Sequence, residues 1–221
     1  MVNTALRKKF LEIHRILGRR YPKVRRHRPR PLMDELMLQL AGNRSDEFRR
    51  AALDRIRKRF ADWNELRVAR VSDAERIFED LPGGSEWAVR AIRTLEDIFQ
   101  DRGDMDLAFL GTMKLPEVRR FLTSIKGIDR AEADAVILEA LNAPVMPVTE
   151  WGLRFAKRMS LAGKKATRAH WQKVVEETLP VEHIYKFYKL IEKHVETICH
   201  PERPECDRCL LRGRCSSKGR F

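Results

Sequence analysis

The chain has 221 residues, a net charge of +13 and 35% charged side chains, which allows one large or two small domains with real cores. So basic a balance points to a polyanionic partner, nucleic acid ahead of a membrane surface, because no stretch is basic on one face and aromatic on the other. No uncharged apolar run approaches the length of a membrane span and the N-terminus lacks the apolar core of a signal peptide, so a cytoplasmic protein is expected.

In chain order, Leu6, Phe10, Ile13 and Leu17 recur at helical spacing over residues 3–17. Arg19 to Pro31 follows, with three prolines and seven Lys or Arg side chains, and reads as a linker that cannot hold a helix. It either tracks a DNA backbone or crosses solvent between two lobes. From Pro31 the pattern is helical almost without break. Leu32, Leu36 and Leu40 share a face; Ser45 caps a helix running to Phe60; Trp63 to Val68 is a short third; Ser72 caps a helix through Phe78. After Gly83-Gly84, residues Ser85 to Gln100 are amphipathic through Trp87, Val89, Ile92, Leu95, Ile98 and Phe99. Pro116 suits the first turn of a further helix. No segment alternates as a strand does, so the predicted class is all-α.

Residues 116–142 read as a helical hairpin: a helix to Ser124, the turn Ile125-Lys126-Gly127-Ile128-Asp129, and a helix from Arg130 to Asn142. Ile125 and Ile128 clamp a turn for which Gly127 supplies the backbone freedom. Asp129 and Glu132 have the spacing of a capping box. Free backbone N–H groups beside a helix N-terminus make an anion site, the physics of a helix-hairpin-helix on a DNA phosphate.

All four cysteines, Cys199, Cys206, Cys209 and Cys215, stand in the last tenth of the chain with the spacing C-x6-C-x2-C-x5-C. Four thiolates in so short a stretch converge on one centre only if the backbone wraps around it. That suits a tetrahedral zinc or a four-cysteine iron–sulfur cluster, and spacing alone does not choose. A pair of disulfides is the third option, disfavoured by the absence of cysteine from the other residues. Arg203, Arg208, Arg212, Arg214 and Lys218 are interleaved with Glu202, Glu205 and Asp207. They either display charge to phosphates or keep the loop soluble.

The cysteine spacing resembles the cluster loop of the endonuclease III family of helix-hairpin-helix DNA glycosylases, where four cysteines hold one [4Fe–4S] cluster. The hairpin, the segment Ala143 to Arg158, the approach His194 to Cys199 and the helix Pro31 to Asn43 resemble that family in the same order. The resemblance implies two helical lobes. Residues 28–142 form a helical barrel ending in the hairpin 116–142, and residues 1–27 with 143–221 form a lobe carrying the cluster loop 199–215. It also implies a monomer, associated with the nucleoid, that binds damaged double-stranded DNA in a cleft between the lobes. Lys126, Gly127, Ile128, Asp129, Arg130, Arg212 and Arg214 would contact DNA. Asn43 stands where the family has a glutamine, and Trp151 where it has a histidine.

The chemistry departs from that pattern. Ala131 occupies the position of the family's Schiff-base lysine, and Thr149 that of its catalytic aspartate. Asp134, Glu150 and Glu132 are the acids near enough in sequence to substitute, though each also suits a cap or solvent. The expectation is a base-excision glycosylase with altered, monofunctional chemistry. The alternative is a catalytically inactive protein that recognises lesions or DNA structure, with a zinc-stapled RNA-binding module a distant third.

Overall fold

The computed structural model describes residues 4–42 and 44–217, so Asn43 and Lys218 lie outside the described residues. Among these, α-helices and short 3-10 turns are the regular elements, and no strand occurs. None of the described helices is long and apolar enough to cross a membrane. The backbone divides into two compact units, Pro29–Asn142 and Met1–Arg28 with Ala143–Phe221.

The first unit holds α2 (Leu32–Gln39), α3 (Asp46–Arg59), α4 (Trp63–Val68), α5 (Val71–Arg76), α6 (Gly84–Arg102), α7 (Leu115–Ser124) and α8 (Arg130–Ala140); α1 (Thr4–Arg20) belongs to the other. Residue spacing predicts one apolar face for α2, yet every residue from Met33 to Gln39 is buried, because α2 packs against both α3 and α8. Three polar side chains go inside with it, and each finds a partner, as buried polar groups must. Asp34 accepts from Arg57 and, at 3.1 Å, from Trp63 Nε1. Gln39 donates to Glu35 at 2.6 Å, and Arg30 reaches the same carboxylate at 3.2 Å. Burial first, and the like charge of Glu139 second, push the Glu35 carboxyl above its ordinary range.

Local signals set most of the helix ends. Ser45 Oγ accepts from Phe48 N at 3.2 Å and opens α3 as expected. Gly83 takes φ +76, and a Cβ on Gly84 would meet Phe78 Cβ at 2.5 Å, so both glycines at the start of α6 are required. Ser72 is not the cap of α5: that helix begins at Val71, behind an extended Arg70 with no side-chain cap bond. The second unit packs α1, α9 (Glu150–Arg158), α10 (Arg168–Thr178) and α11 (Val181–Thr197). Phe10 of α1 stacks on Trp171 of α10 with centroids 5.4 Å apart and meets Phe187 of α11 edge-on. Each such pair adds about 0.5–1.5 kcal/mol beyond area burial.

Candidate nucleic-acid interface and metal centre

The hairpin joins α7 to α8 through a turn fixed by its own bonds. Gly127 sits at φ +85, Ile128 N donates to Ile125 O at 3.1 Å, and both isoleucines are buried. Asp129 accepts from Glu132 N at 2.8 Å while Glu132 accepts from Asp129 N at 2.9 Å, which completes the capping box. Arg90 of α6 clasps the turn from behind, donating to Gly127 O, to Glu132 at 2.8 Å and to Leu40 O at 2.7 Å. Lys126 projects from the turn with its side chain 90% exposed. Its backbone N–H, expected to be free, instead donates to Asp97 of α6 at 2.8 Å.

Ala131 and Thr149, the positions at which the family's lysine and aspartate were expected, have structural places only. Ala131 is buried in the first turn of α8. Thr149 caps α9, its hydroxyl accepting from Gly152 N at 3.1 Å. The three acids offered as substitutes all have structural partners. Asp134 is 1% exposed and is held by Arg119 at 2.6 Å and Arg130 at 3.0 Å. Glu132 closes the capping box and pairs with Arg90. Glu150, with a side chain 70% exposed, lies 3.4 Å from Arg168. Trp151 is half-buried at the start of α9, with the Arg154 guanidinium 6.0 Å from its ring centroid.

The four cysteines are thiols without a disulfide, and all four border one cavity with Phe155, Met159, His194 and Ile198. Their loop has only two single turns of 3-10 helix, Cys206–Arg208 and Arg212–Arg214, and of its residues Leu211 alone is fully buried. It hangs from α9 and α11. Arg158 donates to Cys199 Sγ at 3.3 Å and to the carbonyls of His200 and Pro201, each at 2.7 Å. Arg154 adds a bond to Cys199 O at 2.9 Å. Cys215 Sγ and Ser216 N close on Arg158 O from the far end of the loop.

His194 of α11 lies 3.6 Å from Cys209 Sγ through Nε2 and 3.2 Å from Tyr21 OH through Nδ1. Burial, with Arg20 assisting, lowers it to about 4, so a neutral ring faces the thiols. Burial also raises the Cys209 thiol. Four softly basic sulfurs around a mostly apolar cavity, with a guanidinium beside one of them, form a donor set that matches a thiolate-bound metal group. Among the described residues, no three Cys, His, Asp or Glu side chains are gathered as a ready-made site for an ion. Arg212 pairs with Asp207 at 2.6 Å and Arg214 with Glu12 at 2.7 Å, so both expected DNA contacts are also intramolecular ties.

Sequence reasoning missed Arg90, Asp97 and Arg119, and gave Arg154, Arg158 and His194 no role of their own within the segments that carried the resemblance. Only Arg154 and Arg158 carried a usable signal, since residues four apart share a helix face.

Comparisons with known proteins agree with this geometry. No family model matches. The transcriptional activator DEMETER of Arabidopsis thaliana is 28% identical over 171 residues, 70% of this chain but 9% of that protein. Endonuclease III of Sulfolobus acidocaldarius is 24% identical over 123 residues, 56% of this chain and 54% of that one. The chain thus spans about half, or far less, of the curated relatives it matches. A trapped endonuclease III–DNA covalent intermediate superposes with a TM-score of 0.75 over 96% of both chains at 14% identity. A thermostable thymine-DNA glycosylase gives 0.72 over 95% of this chain at 15% identity. By fold across nearly its whole length, and by sequence across part of it, the chain is similar to the endonuclease III-like helix-hairpin-helix proteins.

Proposed function

We propose that this chain is a DNA-repair protein of the endonuclease III type, binding duplex DNA at an abasic site or a damaged base turned out of the helix. The observation that carries the reading is the hairpin: a left-handed Gly127, a complete capping box and an exposed Lys126 at the N-terminus of α8. Such a turn presents N–H donors and positive charge to a phosphate. Lys126→Ala or Arg130→Ala should weaken duplex binding and flatten its salt dependence by about 0.9 for each phosphate left without its cation.

The chemistry is altered. Ala131 has no amine, so the chain lacks the nucleophile for Schiff-base strand cleavage at that position. Thr149 keeps the capping half of the aspartate's role but carries no charge to stabilise a cationic sugar, at a cost of several orders of magnitude in rate. Base removal without strand cleavage is the activity this leaves, with Asp134, Glu150 or Glu132 as its acid. The existing partners of those three acids favour a second reading, a DNA-damage or DNA-structure binder without catalysis.

Cys199, Cys206, Cys209 and Cys215 would hold a [4Fe–4S] cluster, with zinc the alternative. When bound, the group would cross-link a loop that has almost no core of its own. Iron content and visible absorption separate the two metals.

The deciding experiment is a single-turnover assay on duplexes carrying an abasic site or oxidised, deaminated and alkylated bases, with borohydride in a parallel set. Base release without covalent trapping is expected. Trapping would reveal an amine doing the missing lysine's work. Tight binding with no product would establish the second reading, and failure to bind any duplex would overturn both.

A further inference from the structure

The hairpin turn already holds an anion. Asp97 of α6 accepts the Lys126 backbone N–H through Oδ2 at 2.8 Å, and its Oδ1 lies 3.6 Å from Lys126 Nζ. These are the two kinds of donor a phosphate oxygen would use: a backbone N–H at a turn with a left-handed glycine, and an ammonium beside it. The carboxylate accepts the first and stands within ion-pair reach of the second, so the turn already has a negative group against it.

The contact is also positioned to be broken. The Asp97 side chain is 24% exposed and Lys126 almost wholly so, at the rim of a groove lined by Arg90, Arg93, Glu96, Asp97, Lys126 and Gly127. Arg90 fixes the turn through the Gly127 carbonyl and Glu132, and Ile125 and Ile128 are buried beneath it. The turn therefore keeps its shape when Asp97 lets go. An ion pair so exposed is weak, and a phosphate can displace it.

We propose that Asp97 is a specificity-determining residue: an internal carboxylate that competes with DNA phosphate for the hairpin. It lowers affinity for undamaged duplex, so that tight binding requires contacts beyond the backbone. Salt-dependent backbone contacts supply most non-specific binding, and Asp97 subtracts from that part of the interaction. The inference rests on the reading of the hairpin as a DNA-contacting element.

The test compares Asp97→Asn, Asp97→Ala and Asp101→Asn with the unaltered chain. Asp101→Asn makes the same charge change at an exposed site further along α6. Each protein is titrated with a short undamaged duplex and with the same duplex carrying an abasic analogue, across a range of salt, with thermal melts as a fold check. Asp97→Asn keeps an oxygen for the Lys126 N–H, so it preserves the turn even if Asp97→Ala does not.

Undamaged-duplex affinity should rise roughly fivefold in Asp97→Ala and less in Asp97→Asn, with a salt slope steeper by about 0.9. The abasic duplex should gain less, and Asp101→Asn should change little. Native melts with unchanged or weaker binding in both Asp97 variants would overturn the inference while leaving duplex binding by the hairpin intact. Equal tightening in Asp101→Asn would reduce it to bulk charge. If even the unaltered chain binds no duplex, the functional reading fails and takes the inference with it.

Discussion

The hairpin and the cysteine loop are both expected at a phosphate backbone, and built in opposite ways. The hairpin is closed mostly by its own residues, with Arg90 of α6 clasping it from behind. Gly127 supplies the turn, Ile125 and Ile128 bury beneath it, and Asp129 with Glu132 satisfies the exposed end of α8. The loop from Cys199 to Cys215 has two isolated 3-10 turns, four thiols facing one cavity, and Leu211 as its buried anchor. Its order is borrowed from Arg154 and Arg158 and, on the proposed reading, from a metal group held by the thiols. A motif closed by local hydrogen bonds survives the loss of its ligand. One closed by a metal does not.

The sharpest way to break that contrast is at the cysteines. Cys206→Ala should lose the bound metal and with it stabilisation on the order of 10 kcal/mol, unfolding the loop and loosening α9 and α11. Iron or zinc content, visible absorption and a thermal melt would show it. A soluble, fully folded and metal-free variant would mean that the arginines alone order the loop. The corresponding change in the hairpin is smaller. Gly127→Ala places a Cβ where φ is +85, and the nearest atom, Arg90 Nε, is 3.9 Å away, an ordinary contact. The cost is then conformational, roughly 1–2 kcal/mol, with weaker duplex binding and no effect on metal content. An unchanged melt would show that the turn is not held in its left-handed form.

The same contrast explains what was legible in the sequence. Ser45, Thr149, Gly127 and the Asp129–Glu132 box act within three or four residues, and each occurs where its local rule places it. The four cysteines were legible because they stand within one short stretch of the chain, and all four border one cavity. Ser72 misled because a capping residue type was read without the extended backbone a cap needs, and here that backbone belongs to Arg70. Asp97, Arg90 and Arg119 were out of reach. Their partners stand 29, 42 and 15 positions away, and nothing in a charged, half-exposed side chain announces which distant turn it will meet. The buried polar run Asp34, Glu35 and Gln39 was equally hidden, since α2 becomes buried all round only through packing on α3 and α8.

The two units should also part company in acid. His14 of α1 is half-buried against the His183 ring, centroids 4.8 Å apart, and near Lys186. Burial first, then electrostatic repulsion from His183 and Lys186, lowers it from 6.5 to about 4. The unfolded chain therefore takes up a proton on His14 between pH 6.5 and about 4 that the folded unit refuses, and stability contributed there falls as pH drops through that window. Discounted for solvent screening, the loss is about 1 kcal/mol. Glu35 in the other unit has the opposite sign. Its carboxyl is raised by burial and by Glu139, so the folded state binds the proton more readily, and stability from this group is lost as pH rises rather than as it falls. Hydrogen exchange resolved by peptide should show α1 and α11 losing protection from about pH 6.5 towards about 4.5, while α2 and α8 hold theirs. His14→Gln should reduce the first change, leaving the share due to His194 of α11, which burial also lowers to about 4, and leave the second alone. Equal loss in both units, or no response to His14→Gln, would locate the acid sensitivity elsewhere than this histidine pair.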